Sequence, residues 1–143
     1  MITDILSIGV KMANFENVEV AREFFYKDLF AVNMGITLDE LTEDEAVCSL
    51  KLNENHKNAY GGVMGGAIFT LCDFAFAVMS NQIHQLTVAQ QVSINYLSAP
   101  KGEKLIARAR CRKSGRTSSI VIVDVEDDLG RDVAQFVGTG FKL

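Results

Sequence analysis

The spacing of apolar residues along this chain changes twice. In "FENVEVAREFFYKDLFAVNMG" (15–35), Val20, Phe24 and Phe25 fall on one side of a helical projection. Asn17 stands where an N-cap would, and Gly35 lies beyond the end, so this stretch predicts one amphipathic helix. "ITLDELTEDEAVCSLKLN" (36–53) predicts a hairpin turning near Glu43 and Asp44. A polar loop, "ENHKNAYGGVM", then leads into "GGAIFTLCDFAFAVMS", which predicts a helix over 65–81 with almost no polar face.

From position 86 the period becomes two. Val88, Val92, Ile94 and Tyr96 take the even positions of 86–99. In 103–113, Leu105, Ala107, Ala109 and Cys111 share one face, and Ile106, Arg108, Arg110 and Arg112 share the other. Two more strands, 117–127 and 131–143, flank a tight turn at "DLGR" (128–131). Helix, hairpin, long apolar helix and then three or four antiparallel strands in a meander make an α+β fold. The apolar helix must be wrapped by the sheet, by a partner subunit, or by both.

The 143 residues suit a single domain, 1–143, with 1–33 as an N-terminal helical extension. The net charge of −4 argues against a nucleic-acid binder, although "ARARCRKSGR" (107–116) is locally basic. Cys48, Cys72 and Cys111 sit among apolar neighbours in no paired pattern, so buried free thiols are expected. His56 and His84 are the only histidines and belong to no ligand cluster, so no metal is expected. The first residues lack a basic stretch before an apolar one, and no run reaches the roughly 18 uninterrupted apolar residues of a membrane span. A cytoplasmic protein without membrane attachment is the expectation.

Asp73 is the one charge in the apolar helix. An unpaired buried carboxylate is costly, so it must be paired, protonated or turned to a cavity. One reading is an acid at an exposed or inter-subunit position, satisfied by a nearby donor. The other is a catalytic carboxylate tuned by apolar surroundings. The glycines ahead of the helix also allow two readings: a loop needing unusual backbone angles, or a bare helix start whose free N–H groups hold a developing oxyanion. Gly65 and Asp73 are eight residues apart, roughly 12 Å along a helix. One chain cannot bring both to one reacting carbon. Two such helices, antiparallel about a two-fold axis, can, so a catalytic reading calls for a dimer.

"HKNAYGGVMGGAIFTLCDFAFAVMS" resembles the central motif of the PaaI-type hotdog thioesterases, which carry a loop Asn, Gly-x-x-His-Gly-Gly, and an Asp on the central helix. Asn58 matches the Asn; Gly62, Gly65 and Gly66 match the glycines; Asp73 matches the acid. The strands from "INYLSAP" to "GTGF" resemble the family too, so that the likeness covers about 34–143. It implies a hotdog fold, an antiparallel sheet wrapped around the long helix. It also implies hydrolysis of an acyl-CoA thioester, with an aryl or medium-chain acyl group, and with coenzyme A as part of the substrate rather than a cofactor.

In the implied mechanism the Gly65 N–H polarises the carbonyl, Asp73 of the neighbouring subunit attacks or activates water, and Asn58 helps to hold that water or the carbonyl. Met64, Gly66, Gln90 and Gln91 would border the substrate, and Lys113 and Arg116 would hold its phosphates. The implied assembly is a homodimer with shared sites, which the family often pairs into a homotetramer. Two positions depart from the pattern: Met64 stands where the family has His, and Ala89 where some relatives carry a polar residue. Phe69, Phe74, Phe76, Met79 and Met64 are open to both core and acyl-pocket readings. Val78 stands where hydratase relatives would need a His, and no Gly-x-Ser-x-Gly motif occurs. The rival from another class is a non-catalytic acyl-CoA binding or sensing protein.

Overall fold

Asn17 caps the first helix as its position predicts, its Oδ1 accepting the Val20 N–H at 2.9 Å. The computed structural model describes residues 14–143, so the first 13 residues of the expected N-terminal extension lie outside the described residues. The amphipathic stretch forms two helices rather than one, α1 (Val18–Phe25) and α2 (Leu29–Met34). Tyr26 closes α1, and Asp28 leaves helical geometry at ψ 73°. The break lets the two helices dock at different angles. Phe15, Phe24 and Phe25 form an aromatic cluster, and Phe25 meets Phe74 of the long helix edge-on at 5.9 Å. Gly35, at φ +100°, ends α2 in the left-handed region that glycine adopts freely, and turns the chain into the sheet.

The hairpin follows as expected, β1 (Ile36–Leu41) and β2 (Glu45–Lys51), joined through Thr42 to Asp44. A short 3-10 turn (Glu54–His56) precedes the long helix α3 (Gly65–Ile83). Four strands complete the chain: β3 (Thr87–Tyr96), β4 (Lys104–Ser114), β5 (Ser118–Asp127) and β6 (Asp132–Lys142). All pairings among strands are antiparallel, in the order β1-β2-β4-β5-β6-β3. The meander therefore holds only for β4–β6. The strand expected to open it, β3, crosses to the far edge and pairs with β6, while β4 pairs with β2.

The sheet wraps α3, whose buried residues Leu71, Cys72, Ala75, Val78 and Met79 face Ala107, Val121, Val123 and Phe136 across the core. By length and composition α3 could cross a bilayer, but 67% of its apolar window is buried by the rest of the chain. It is the core of the fold. Room for it is made in β6, where a Cβ at Gly138 would stand 2.6 Å from the Phe76 ring. The β4 alternation holds through Ala109 and then slips at a bulge between Cys111 and Lys113. Cys111 is consequently half-buried, not fully buried like Cys48 and Cys72.

Candidate active site

Helix α3 is not covered all round. Gly66 and Asp73 are exposed, and Phe69, Thr70 and Ala77 are half-covered between and beyond them. These residues recur at helical spacing and form one stripe that the sheet leaves open. The carboxylate therefore sits on the open stripe of the core helix and is not sealed in the interior. Apolar side chains still crowd it. Burial, first, and the negative charge of Asp28, second, raise its pKa above the ordinary carboxylate value. Asp28 opens α2 without capping it through its side chain, and partial burial raises its own carboxyl as well.

The other end of the stripe is the bare N-terminus of α3. Met64 takes the N-cap position with no side-chain cap, and Gly65 and Gly66 form the first turn. The N–H groups there have no intrahelical acceptor and lie at the positive end of the helix dipole. Packing does not demand a glycine at 66, where a Cβ would meet nothing closer than the Met64 Cγ at 3.9 Å. At 65 a Cβ would come within 3.3 Å of the Tyr96 ring and hydroxyl, which would have to shift to admit it.

A cleft of ≈ 630 Å³ opens beside this turn, bordered by Phe30, Met34, Met64, Phe69, Thr70 and Tyr96. Three amide side chains, Asn33, Asn53 and Asn55, lie at its rim. Of the residues open to core or pocket readings, Met64 and Phe69 line this cleft. Phe74 lines a separate cavity of ≈ 280 Å³ between the N-terminal helices and β1. Phe76 and Met79 are core.

His56 is buried against the cleft, and both its nitrogens are engaged. Nδ1 accepts the Asn53 N–H at 3.1 Å, so Nε2 carries the proton and donates to the Met34 carbonyl at 2.8 Å. It ties the loop to α2 and does not stand in for the histidine missing at 64. Asn58 is also engaged in the loop. Its Oδ1 accepts the N–H groups of Tyr60 at 2.9 Å and Gly62 at 3.1 Å, around Gly61 at φ +83°. Its Nδ2 makes no hydrogen bond among the described residues.

The remaining expected site residues do not converge on this cleft within one chain. Gln90 and Gln91 sit at a bulge on the exposed edge strand β3. Lys113 and Arg116 are exposed on the β4–β5 hairpin, which His84 Nε2 contacts through the Gly115 carbonyl at 2.7 Å. That hairpin is at the C-terminal end of α3, roughly 28 Å along the helix from Gly65. Arg108 and Arg110 instead pair with Glu45 on β2, Arg110 at 2.6 Å. Tyr96, which donates its hydroxyl to the Gly65 carbonyl at 3.1 Å, was not a sequence candidate. It reads there as one more alternating strand residue, and nothing local signals its reach to a glycine 31 positions away.

The sequence pattern of the thioesterase superfamily matches residues 60–134, which holds the whole of α3 and most of the sheet. A protein of Archaeoglobus fulgidus described as a putative esterase is 32% identical over 129 residues, covering 88% of this chain and 83% of its own. The acyl-coenzyme A thioesterase PaaI of Escherichia coli is 26% identical, over 86% of this chain and 89% of its own. Its solved structure superposes with a TM-score of 0.81, over 86% of this chain and 90% of that one. A hypothetical thioesterase of Streptococcus pneumoniae, solved with coenzyme A, gives 0.76 at 30% identity, over 83% and 94% of the two chains.

Proposed function

This chain belongs to the thioesterase superfamily, and we propose that it hydrolyses an acyl-CoA carrying an aryl or medium-chain acyl group. It is a thioester hydrolase of the PaaI type with a hotdog fold. The observation that carries the finer reading is the open stripe of α3, with a bare glycine turn at one end and a carboxylate of raised pKa on the same face.

These two groups are roughly 12 Å apart in one chain, so the site is composed from two. Edge chemistry supports the pairing. The β1 edge is short, bulged and acidic, and Arg22 donates to the carbonyls of Leu38 and Asp39. The β3 edge is ten residues long and leaves Val88 and Tyr96 exposed, with Leu86, Leu97 and Phe141 beside it. An open edge of that kind invites a second strand. Two copies joined there about a two-fold axis set their α3 helices antiparallel, Gly65 of one facing Asp73 of the other. A homotetramer would follow from pairing two such dimers.

In that arrangement the thioester oxygen sits at the Gly65 N–H, with the Asn58 Nδ2 as a further donor. The partner subunit's Asp73 takes a proton from water as the hydroxide oxygen adds to the carbonyl carbon. Collapse of the oxyanion breaks the C–S bond, and the proton returns to the departing thiolate, giving a carboxylic acid and free coenzyme A. Direct attack by the carboxylate, through an anhydride that water then opens, reaches the same products. Neither route uses a metal or a cofactor. Met64 and Phe69 would border the acyl group. The partner's β4–β5 hairpin would lie roughly 16 Å beyond Gly65, which offers its Lys113 and Arg116 to the phosphates of coenzyme A. Gln90 and Gln91, on the joined edge, would contact the substrate from the interface. A cytoplasmic location completes the reading.

The test is thiol release from a panel of short, medium, long and aromatic acyl-CoAs, with wild type beside Asp73→Ala. Turnover that the variant abolishes while its fold is intact identifies the acyl class and places the carboxylate in the chemistry. Binding without turnover on every thioester would replace the enzyme by an acyl-CoA binding module, the reading that Met64 in the histidine position favours.

A further inference from the structure

We propose that Tyr96 is a positioning residue for the oxyanion donor, holding the glycine turn of α3 rigid from the edge strand β3. The inference rests on the thioesterase reading above and adds a residue to it.

Two glycines in succession make the first turn of α3 its most permissive segment, since neither has a Cβ to limit its backbone. First-turn N–H groups also lack intrahelical partners. Left to itself such a turn frays, and a frayed donor is a poor oxyanion hole, because stabilisation of developing charge depends on dipoles already fixed in place. Tyr96 supplies the missing constraint. A helical carbonyl accepts from the N–H four residues on, which leaves a second lone pair. The Tyr96 hydroxyl donates to that oxygen on Gly65 at 3.1 Å. The same bond fixes the plane of the Gly65–Gly66 peptide and, through the Gly65 Cα that the two peptides share, limits the swing of the preceding peptide, which carries the Gly65 N–H.

The ring adds a steric limit. Its Cζ and Oη lie 3.3 Å from where a Gly65 Cβ would be, so ring and turn are in contact. Gly66, one position on, has no such neighbour, so the constraint is specific to 65. Tyr96 also borders the cleft beside the turn. Burial, and then the neighbouring Cys72 thiol, raise the phenol above its ordinary value, so the hydroxyl keeps its proton and remains a donor throughout the physiological range. The contact links the strand on which the second subunit would pair to the helix end where the carbonyl would bind. Dimer formation and oxyanion-hole order would thus share one residue.

The experiment measures kcat and KM on the best acyl-CoA for wild type, Tyr96→Phe, Gly65→Ala, the double variant and Asp73→Asn. Thermal unfolding of each is recorded. Removing the hydroxyl alone is expected to lower kcat about tenfold, the scale of one neutral hydrogen bond lost from the transition state, with KM and Tm nearly unchanged. Gly65→Ala should lower kcat by displacing the ring, and the double variant should lose much less than the product of the two single losses. A Tyr96→Phe enzyme with wild-type kcat, beside an inactive Asp73→Asn, overturns this inference and leaves the thioesterase reading standing. A rise in KM with kcat unchanged also overturns it, since the hydroxyl would then be a plain substrate contact. Full activity in Asp73→Asn would remove the chemistry from this site and overturn both.

Discussion

Phe76 of α3 occupies the space that a side chain at Gly138 of β6 would need, with its Cδ1 and Cε1 2.6 Å from the position of a Cβ there. The central helix lies directly on the backbone of the strand. Phe76 is almost wholly buried and also packs on Phe136 at 6.0 Å, so any shift of its ring disturbs the core. Gly138→Ala should cost about 1–3 kcal/mol by overpacking, read as a lower urea midpoint with an unchanged slope. Gly66→Ala, whose Cβ would make only an ordinary contact with the Met64 Cγ at 3.9 Å, should leave stability level or slightly higher, as alanine favours a helix.

Asp73 binds its proton more tightly folded than unfolded, because burial and Asp28 raise its pKa. Its contribution to stability is therefore complete below the ordinary carboxylate value of ~3.9 and is lost as pH rises through the raised one. At neutral pH the ionised group is a cost to the fold. Asp73→Asn should abolish hydrolysis while keeping Tm at or above wild type at pH 7, and the Tm advantage should vanish near pH 3. Thermal melts across that range check the sign.

Asp28 acts on the same carboxyl through its charge. Replacing it with Asn removes one of the two causes that raise the Asp73 pKa, so Asp73 should ionise at lower pH. The acid limb of kcat/KM should move to lower pH. The shift should shrink in high salt, which screens a charge at this exposed position. A pH profile of Asp28→Asn at low and high ionic strength measures both effects.

Sites shared between two subunits, as proposed, would make the subunits complementary. A dimer mixing Asp73→Asn with Gly65→Val has one site containing a sound glycine and a sound carboxylate, and one site with neither. Co-expression of the two inactive variants should restore about a quarter of wild-type activity, from the half of dimers that are mixed. Active sites contained in single subunits would restore none.

Asp127 behaves oppositely to Asp73. Burial alone would raise its pKa, but the backbone N–H groups of Arg131, Lys101, Gly102 and Leu129 donate to its carboxylate and hold it at about 2. Its folded pKa is depressed, so its stabilisation is present above ~3.9 and is lost as pH falls toward 2. Asp127→Ala should leave up to four amides unpaired where the 100–104 segment meets the β5–β6 turn. A large drop in Tm at pH 7 that narrows toward pH 2 is the expected result.

Much of this protein was legible along the chain. The alternation of Leu105, Ala107 and Ala109 located β4, the acidic pair at 43–44 located the hairpin turn, and Asn17 located a cap. These are local signals, because burial on one face imposes a period that any window of the chain displays. The glycines and Asp73 also fell on one helix by spacing alone, and their separation made a single-chain site geometrically impossible.

What the chain could not display was which surfaces meet. Strand β3 alternates like the others, and nothing in its own residues distinguishes pairing with β4 from pairing with β6. The apolar period records that a face is buried but not its neighbour. Helix α3 is apolar on every side, so the stripe left open for Asp73 emerged only when the sheet had covered the rest. The same holds for Met64 and Phe69 at the cleft against Phe76 and Met79 in the core, and for Tyr96 over Gly65. Each is a contact between residues distant in sequence. Local pattern dictates the element each residue joins; only the packing of those elements selects its partner.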